Sequence, residues 1–214
     1  MNVGIPPPGF AARAQRLLAA LHWDGARGLV LLALCLVLLL PEAGGDALRA
    51  AWRYERHAVQ AGEWWRLATA HVVHLGLEHA ALNALGLVLM WALFAPDFRP
   101  RAWLVIVLAS VVAIDVGFWF RDRTLEWYVG SSGLLHGIMA AGTVAHLARR
   151  DSDGWILGAF LVAKLAYEQT AGALPFTSGG MVIVNAHLYG AAGGLIAALL
   201  LLASPRRSRD SQPL

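Results

Sequence analysis

Residues 128–137 read YVGSSGLLHG, and the fold turns on which solvent this segment enters. Two serines set between glycines, with a histidine four residues past the second serine, open an apolar run that continues to about residue 148. Of the 214 residues, 58% are hydrophobic and 14% charged, and the mean hydropathy is +0.56. That balance excludes a soluble globule and implies a membrane protein. The hydroxyls and the imidazole are therefore polar groups at membrane depth, which usually face a protein interior or water.

Working outward, six stretches meet the requirement of roughly 20 apolar residues for a bilayer core of about 30 Å. They cover approximately 26–44, 71–94, 102–120, 132–148, 154–171 and 181–203, an all-α bundle of six transmembrane helices. Residues 1–25 are read as a cytoplasmic or interfacial segment, in which FAARAQRLLAALHW suits a short interfacial helix, and 204–214 as a basic cytoplasmic tail. The PEA after the first span is only a faint signal-cleavage site, because the segment starts late and five spans follow. Arginines in the N-terminal segment, PDFRPR, ARRDSD and SPRRSRD all fall on one side of six spans, which is expected to be cytoplasmic. Arg49, Arg53, Arg56 and Arg66 on the other side moderate that asymmetry. The net charge of +3 suits anionic lipid headgroups, and no nucleic-acid motif is present. The one cysteine, Cys35, excludes a disulfide framework or thiolate cluster.

With this topology spans two, four and six all run inward from the outer face, and each opens with polar residues: HVVHLGLEHAALN, GSSGLLHG and VIVNAHLYG. Three such clusters at one depth imply a shared site. His79 and Asn83 are four apart and share a helical face, with His74 nearer the loop. Gly133 and Gly137 on span four, and Gly190 and Gly194 on span six, allow a close helix crossing. Such a crossing brings Ser132 and His187 together although they are 55 positions apart. A serine hydroxyl needs a base to become a nucleophile, and neutral imidazole suits the task. Backbone N–H groups at Ser132, the start of span four, together with Asn83 and His79 are candidate oxyanion donors. No carboxylate is obviously placed to orient His187, so a dyad is expected, and Leu134 breaks the Gly-x-Ser-x-Gly elbow of soluble hydrolases.

HVVHLGLEHAALN, GSSGLLHG and AHLYGAAGG together resemble the His-x4-His-x3-Asn, Gly-x-Ser-Gly and Ala-His-xx-Gly-xxx-Gly signatures of rhomboid intramembrane serine proteases, and EWWRLATA resembles the Trp-Arg that precedes them. The ordered set covers residues 63–194. The resemblance implies a six-helix fold in the bacterial inner membrane, with both termini cytoplasmic and the site opening to the periplasm. It also implies Ser132 as nucleophile, His187 as base, His79 and Asn83 in the oxyanion hole, Gly130, Gly133 and Gly190 in support, and no cofactor. Many rhomboids have a tyrosine four residues after the nucleophile, where this chain has His136. That departure, with the small size, is similar to the rhombosortase subgroup, whose substrates end in Gly-Gly, a transmembrane helix and a basic tail. A generic rhomboid protease acting on other single-span proteins is the alternative.

Rival readings weigh less. A haem or metal site from His71, His74, His79 and His187 would leave Gly-Ser-Ser-Gly unexplained and lacks His-Glu-xx-His. A noncatalytic relative would be expected to lose the serine or the histidine, and a transporter would need a polar path to the inner side. Ser131 is read as a cap or spectator, His71 and His74 as stabilising span two, and His22, His57 and His146 as without a role. Trp23, Trp64, Trp65 and Trp155 fit an interfacial belt. Asp115 and Lys164 are two intramembrane charges for which a mutual ion pair is one arrangement, with Glu168 competing for the lysine. The uncharged loop AGALPFTSGG is the candidate mobile cover.

Overall fold

A computed structural model of the chain describes residue 19, residues 25–173 and residues 182–204. Apart from residue 19, the interfacial helix expected over residues 10–23 lies outside the described residues, as do most of the AGALPFTSGG loop and the basic tail beyond Ser204. The first span is α1 (Ala26–Leu39), which passes through a 3-10 turn at Leu40–Gly44, containing Pro41, into α2 (Gly45–Trp52). Proline lacks the amide donor that would continue the α-helical ladder, and the chain takes 3-10 hydrogen bonding there. The long connection that follows holds β1 (Tyr54–Glu55), α3 (Arg56–Gln60) and α4 (Arg66–Thr69). Five long helices complete the bundle: α5 (Leu77–Phe94), α6 (Pro100–Phe120), α7 (Ser132–Arg149), α8 (Ser152–Ala171) and α9 (Val184–Ala203). Between α6 and α7, β2 (Trp127–Tyr128) pairs antiparallel with β1, Tyr54 opposite Tyr128, so the otherwise helical chain carries a two-residue ladder that the hydropathy pattern does not announce.

The segment Ala26–Trp52 and the helices α5, α6 and α9 are long and apolar enough to cross a membrane by length and composition. The other two, α7 and α8, are long enough at about 1.5 Å per residue but more polar, and α7 is the helix most enclosed by protein, packing on α5, α6, α8 and α9. The outward faces of the surrounding helices carry exposed leucines and valines such as Leu29, Leu85, Leu104, Val112 and Leu200, with Phe160 on α8. Such a belt is untenable in water and ordinary in lipid. The chain is a polytopic helical membrane protein.

Van der Waals packing across small residues is what draws helices together in lipid, where no hydrophobic difference separates protein from solvent. The tightest contact is between α7 and α9. A Cβ added at Gly133 would stand 2.7 Å from the Ala186 carbonyl, and one at Gly137 the same distance from the Gly190 carbonyl. Conversely, a Cβ at Gly190 or Gly194 would collide with the carbonyls of Gly133 or Gly137. Ile114 of α6 seals this crossing from a third side. Gly190→Ala is therefore expected to force α7 and α9 apart and lower stability by about 1–3 kcal/mol. At Gly158 of α8 a Cβ meets only Thr143 Cγ2, at ordinary contact distance of 3.4 Å. Thermal unfolding in detergent should show a clear fall for Gly190→Ala and little change for Gly158→Ala; equal midpoints would contradict the packing account.

Candidate active site

The end of the bundle at which α5, α7 and α9 begin is braced by the connection between α2 and α5. Arg66 is buried and donates to the carbonyls of Ala50 and Arg53 at 2.7 and 2.9 Å and to Glu63 at 2.6 Å. Arg56 donates to the carbonyls of Phe118, Asp122 and Leu125 near the C-terminus of α6. Arg49 reaches Glu42 and the carbonyl of His74, while Glu42 accepts the His74 backbone N–H at 3.1 Å. The arginines of this connection are thus structural ties, and their presence here is a matter of packing, independent of any charge asymmetry across the membrane. The ties also account for a boundary: residues 71–76 form an irregular pinned segment, and the helix of span two begins at Leu77.

At that end Ser132 is the first residue of α7 and His187 lies one turn into α9. His187 Nε2 is 2.9 Å from Ser132 Oγ. The sequence shows no carboxylate obviously placed to orient His187, yet on the other side of the ring Nδ1 lies 2.9 Å from Glu168 Oε2. Glu168, 1% exposed, comes from α8, and its second oxygen accepts from Lys164 Nζ at 2.5 Å. The signal was present in the sequence as a carboxylate one turn from the C-terminal end of span five, but its i,i+4 spacing from Lys164 reads as a self-contained ion pair. Asp115 does not pair with Lys164; its Oδ1 lies 3.5 Å from His71 Nε2.

His136 stacks on His187, ring centroids 4.1 Å apart and planes 15° from parallel. Its Nδ1 is 2.7 Å from the Ser132 carbonyl, an acceptor, so Nδ1 carries the proton. His79 receives the Leu75 N–H on Nδ1 at 3.4 Å, which leaves Nε2 as its N–H. The Asn83 amide, buried, donates one hydrogen to the His79 carbonyl at 2.9 Å and has a second to offer. Gly130 has φ +119°, a conformation side chains rarely adopt, and a Cβ there would meet His79 Cε1 at 3.2 Å. Its N–H is held by the Ala70 carbonyl, and Tyr128 Oη–H donates to its carbonyl at 2.6 Å. Ser131 makes no side-chain cap on α7; its hydroxyl meets His74 Nε2 at 3.2 Å. The structure thus separates the adjacent serines: Ser132 faces His187 and Ser131 faces His74.

The family model for the rhomboid domain matches residues 61–204. The chain belongs to the rhomboid family. It is 24% identical over 146 residues to the putative rhomboid protease YdcA of Bacillus subtilis (strain 168), covering 68% of this chain and 71% of that protein. It is 29% identical over 126 residues to the rhomboid protease GluP of the same organism, covering 56% of this chain and 24% of that relative. This rhomboid is an enzyme of the intramembrane serine protease class.

The haem or metal set considered from sequence is not assembled in this rhomboid. His71 packs against Asp115 and Tyr128, and His74 against Ser131 and His79. His136, Glu168 and His187 do bring ligand-type atoms within 4.8 Å of one another. The two rings are stacked with their planes 15° from parallel, however, so their in-plane lone pairs lie in separate layers and do not share one coordination point. His146, given no role from sequence, is a buried tie at the opposite end of the bundle: Nδ1 is 2.9 Å from Asp153 and Nε2 3.1 Å from Asp97, joining the ends of three helices.

His74 lies in the loop before α5. Burial, with the nearby His79 second, pushes its imidazole down to about 3. An unfolded histidine titrates at about 6.5, so the unfolded chain binds the extra proton and stability falls as pH drops from about 6.5 toward 3. Unfolding midpoints measured from pH 7 to 4 should decline more steeply for wild type than for His74→Gln; parallel slopes would contradict this burial penalty.

Proposed function

We propose that this rhomboid hydrolyses a peptide bond of a transmembrane substrate with Ser132 as nucleophile and His187 as general base. The observation that carries the reading is the 2.9 Å contact between Ser132 Oγ and His187 Nε2. Ser132 Oγ attacks the scissile carbonyl carbon while its proton passes to Nε2. The negative oxygen that develops is met by the Ser132 backbone N–H at the start of α7, the second Asn83 amide hydrogen and the His79 Nε2–H. Collapse breaks the C–N bond, the departing amine takes the proton from Nε2, and an acyl ester remains on Ser132. Water then attacks the ester, again giving a proton to His187, and restores the serine. His136 lies flat against the ring that becomes cationic, and a neutral aromatic face stabilises such a charge.

The substrate in this reading is an exported protein whose C-terminus carries Gly-Gly, a membrane helix and a basic tail, as in rhombosortases. Glycines support local unwinding, without which a helical backbone shields the peptide bond. His136 in place of the commoner tyrosine supports this narrower assignment over a generic rhomboid. The catalytic bundle occupies residues 26–203 of a bacterial inner-membrane protein. Both termini are cytoplasmic in this arrangement, and the site opens to the periplasmic side, where water is available.

Coexpression with a secreted protein bearing the Gly-Gly, helix and basic tail tests the proposal. Wild type should release a shortened product, Ser132→Ala and His187→Ala should not, and Ser131→Ala should remain within a few-fold of wild type. His136→Phe should retain most activity while His136→Ala slows turnover by about two- to thirty-fold, the range of a cation–π contact. Processing by Ser132→Ala would overturn the nucleophile, and equal cleavage of a generic single-span substrate would overturn the sorting-type specificity.

A further inference from the structure

The roles of Ser132 and His187 leave two intramembrane charges unexplained. Ionisable residues inside spanning helices are costly and are kept where they act. Lys164 and Glu168 face the bundle from α8, and a pair of apolar residues of similar volume would satisfy packing at least as well. Their arrangement does more than neutralise charge. A carboxylate only accepts hydrogen bonds, so Glu168 Oε2 at 2.9 Å requires the proton of His187 to be on Nδ1. That leaves the Nε2 lone pair toward Ser132 Oγ, as a base must have it. Ammonium only donates, so Lys164 Nζ holds Oε1 at 2.5 Å and leaves Oε2 to the ring.

We propose that Glu168, clamped by Lys164, is a positioning residue for proteolysis: it fixes the tautomer and orientation of His187 and stabilises the imidazolium formed during acyl transfer. The proposal rests on the roles given above to Ser132 and His187. The groups in contact with His187 are Ser132 and His136 from α7 and Glu168 from α8, with Lys164 behind it; His79 of α5 is near enough to interact with it through charge. Among these, Glu168 is the carboxylate, and so the group suited to offset a positive ring.

The clamp makes an unusual prediction. In Glu168→Gln, Lys164 must still find an acceptor, so the amide carbonyl turns to the lysine and the NH2 turns to His187 Nδ1. That donor forces the opposite tautomer, with the proton on Nε2, and disarms the base. In Lys164→Met/Glu168→Gln the amide is free to rotate and offer its carbonyl to Nδ1–H. A second mutation that removes a charged partner should therefore restore activity.

Ser132 activation can be followed in detergent without a known substrate, as the rate of covalent labelling by a fluorophosphonate probe. Glu168→Gln should label about 10²- to 10⁴-fold more slowly than wild type, the scale seen when the orienting carboxylate of a serine protease is replaced by its amide. Glu168→Asp should retain more of the rate, and Lys164→Met/Glu168→Gln should label at least tenfold faster than Glu168→Gln alone. In Lys164→Met the carboxylate lacks its counter-charge, so the acidic limb of the rate–pH profile should move to higher pH. Wild-type labelling by Glu168→Gln, or no gain in the double variant once both show the wild-type unfolding midpoint, would overturn the positioning role. Labelling of Ser132→Ala at the wild-type rate would instead overturn the underlying site assignment, so the two failures are distinct.

Discussion

The structure depends on the glycine-lined crossing of α7 and α9. Ser132 and His187 sit at the start of those two helices, and their 2.9 Å separation follows from backbones close enough to exclude any Cβ at Gly133, Gly137, Gly190 and Gly194. In lipid the apolar face of a helix has no reason to prefer protein over hydrocarbon, so close packing of small residues and satisfied polar groups must supply the association. The crossing does both, bringing glycine backbones together and placing at one end a hydrogen-bonded pair that would otherwise be two unsatisfied groups.

The remaining polar groups follow the same logic at different depths. At the end that carries Ser132, Arg49 and Arg66 hold backbone carbonyls of α2 and of the connection between α2 and α5, including the irregular segment that presents His74 to Ser131, while Arg56 holds carbonyls at and beyond the C-terminus of α6. At the opposite end, His146 joins Asp97 and Asp153. Lys164, Glu168 and His187 form a chain directed at Ser132. These polar groups are thus held by protein partners while the outward faces carry leucine, valine and phenylalanine to the lipid.

Much of this was legible in the sequence, because hydropathy and glycine spacing are local signals. The long helices and the approach of spans four and six follow from runs and four-residue repeats that need no knowledge of the fold. Partners that depend on side-chain reach between distant segments were not legible. Glu168 looked paired to Lys164 and is, yet its second oxygen serves His187 nineteen residues away. Asp115 looked like a partner for that lysine, but the pinned loop carries His71 to it. The six residues 71–76 read as helix on composition, whereas Glu42 and Arg49 hold their backbone in a different path. His146 looked unremarkable because its two carboxylates come from separate turns. The two-residue ladder of Tyr54 with Tyr128 is likewise set by tertiary contact and not by local pattern.

The central claim is that the helix crossing makes Ser132, and not its neighbour Ser131, the reactive hydroxyl. The most direct measurement is peptide mapping by mass spectrometry of the purified protein after reaction with a fluorophosphonate. The account predicts a single adduct on Ser132 that disappears in His187→Ala. An adduct on Ser131, or one on Ser132 that forms equally well without His187, would contradict it.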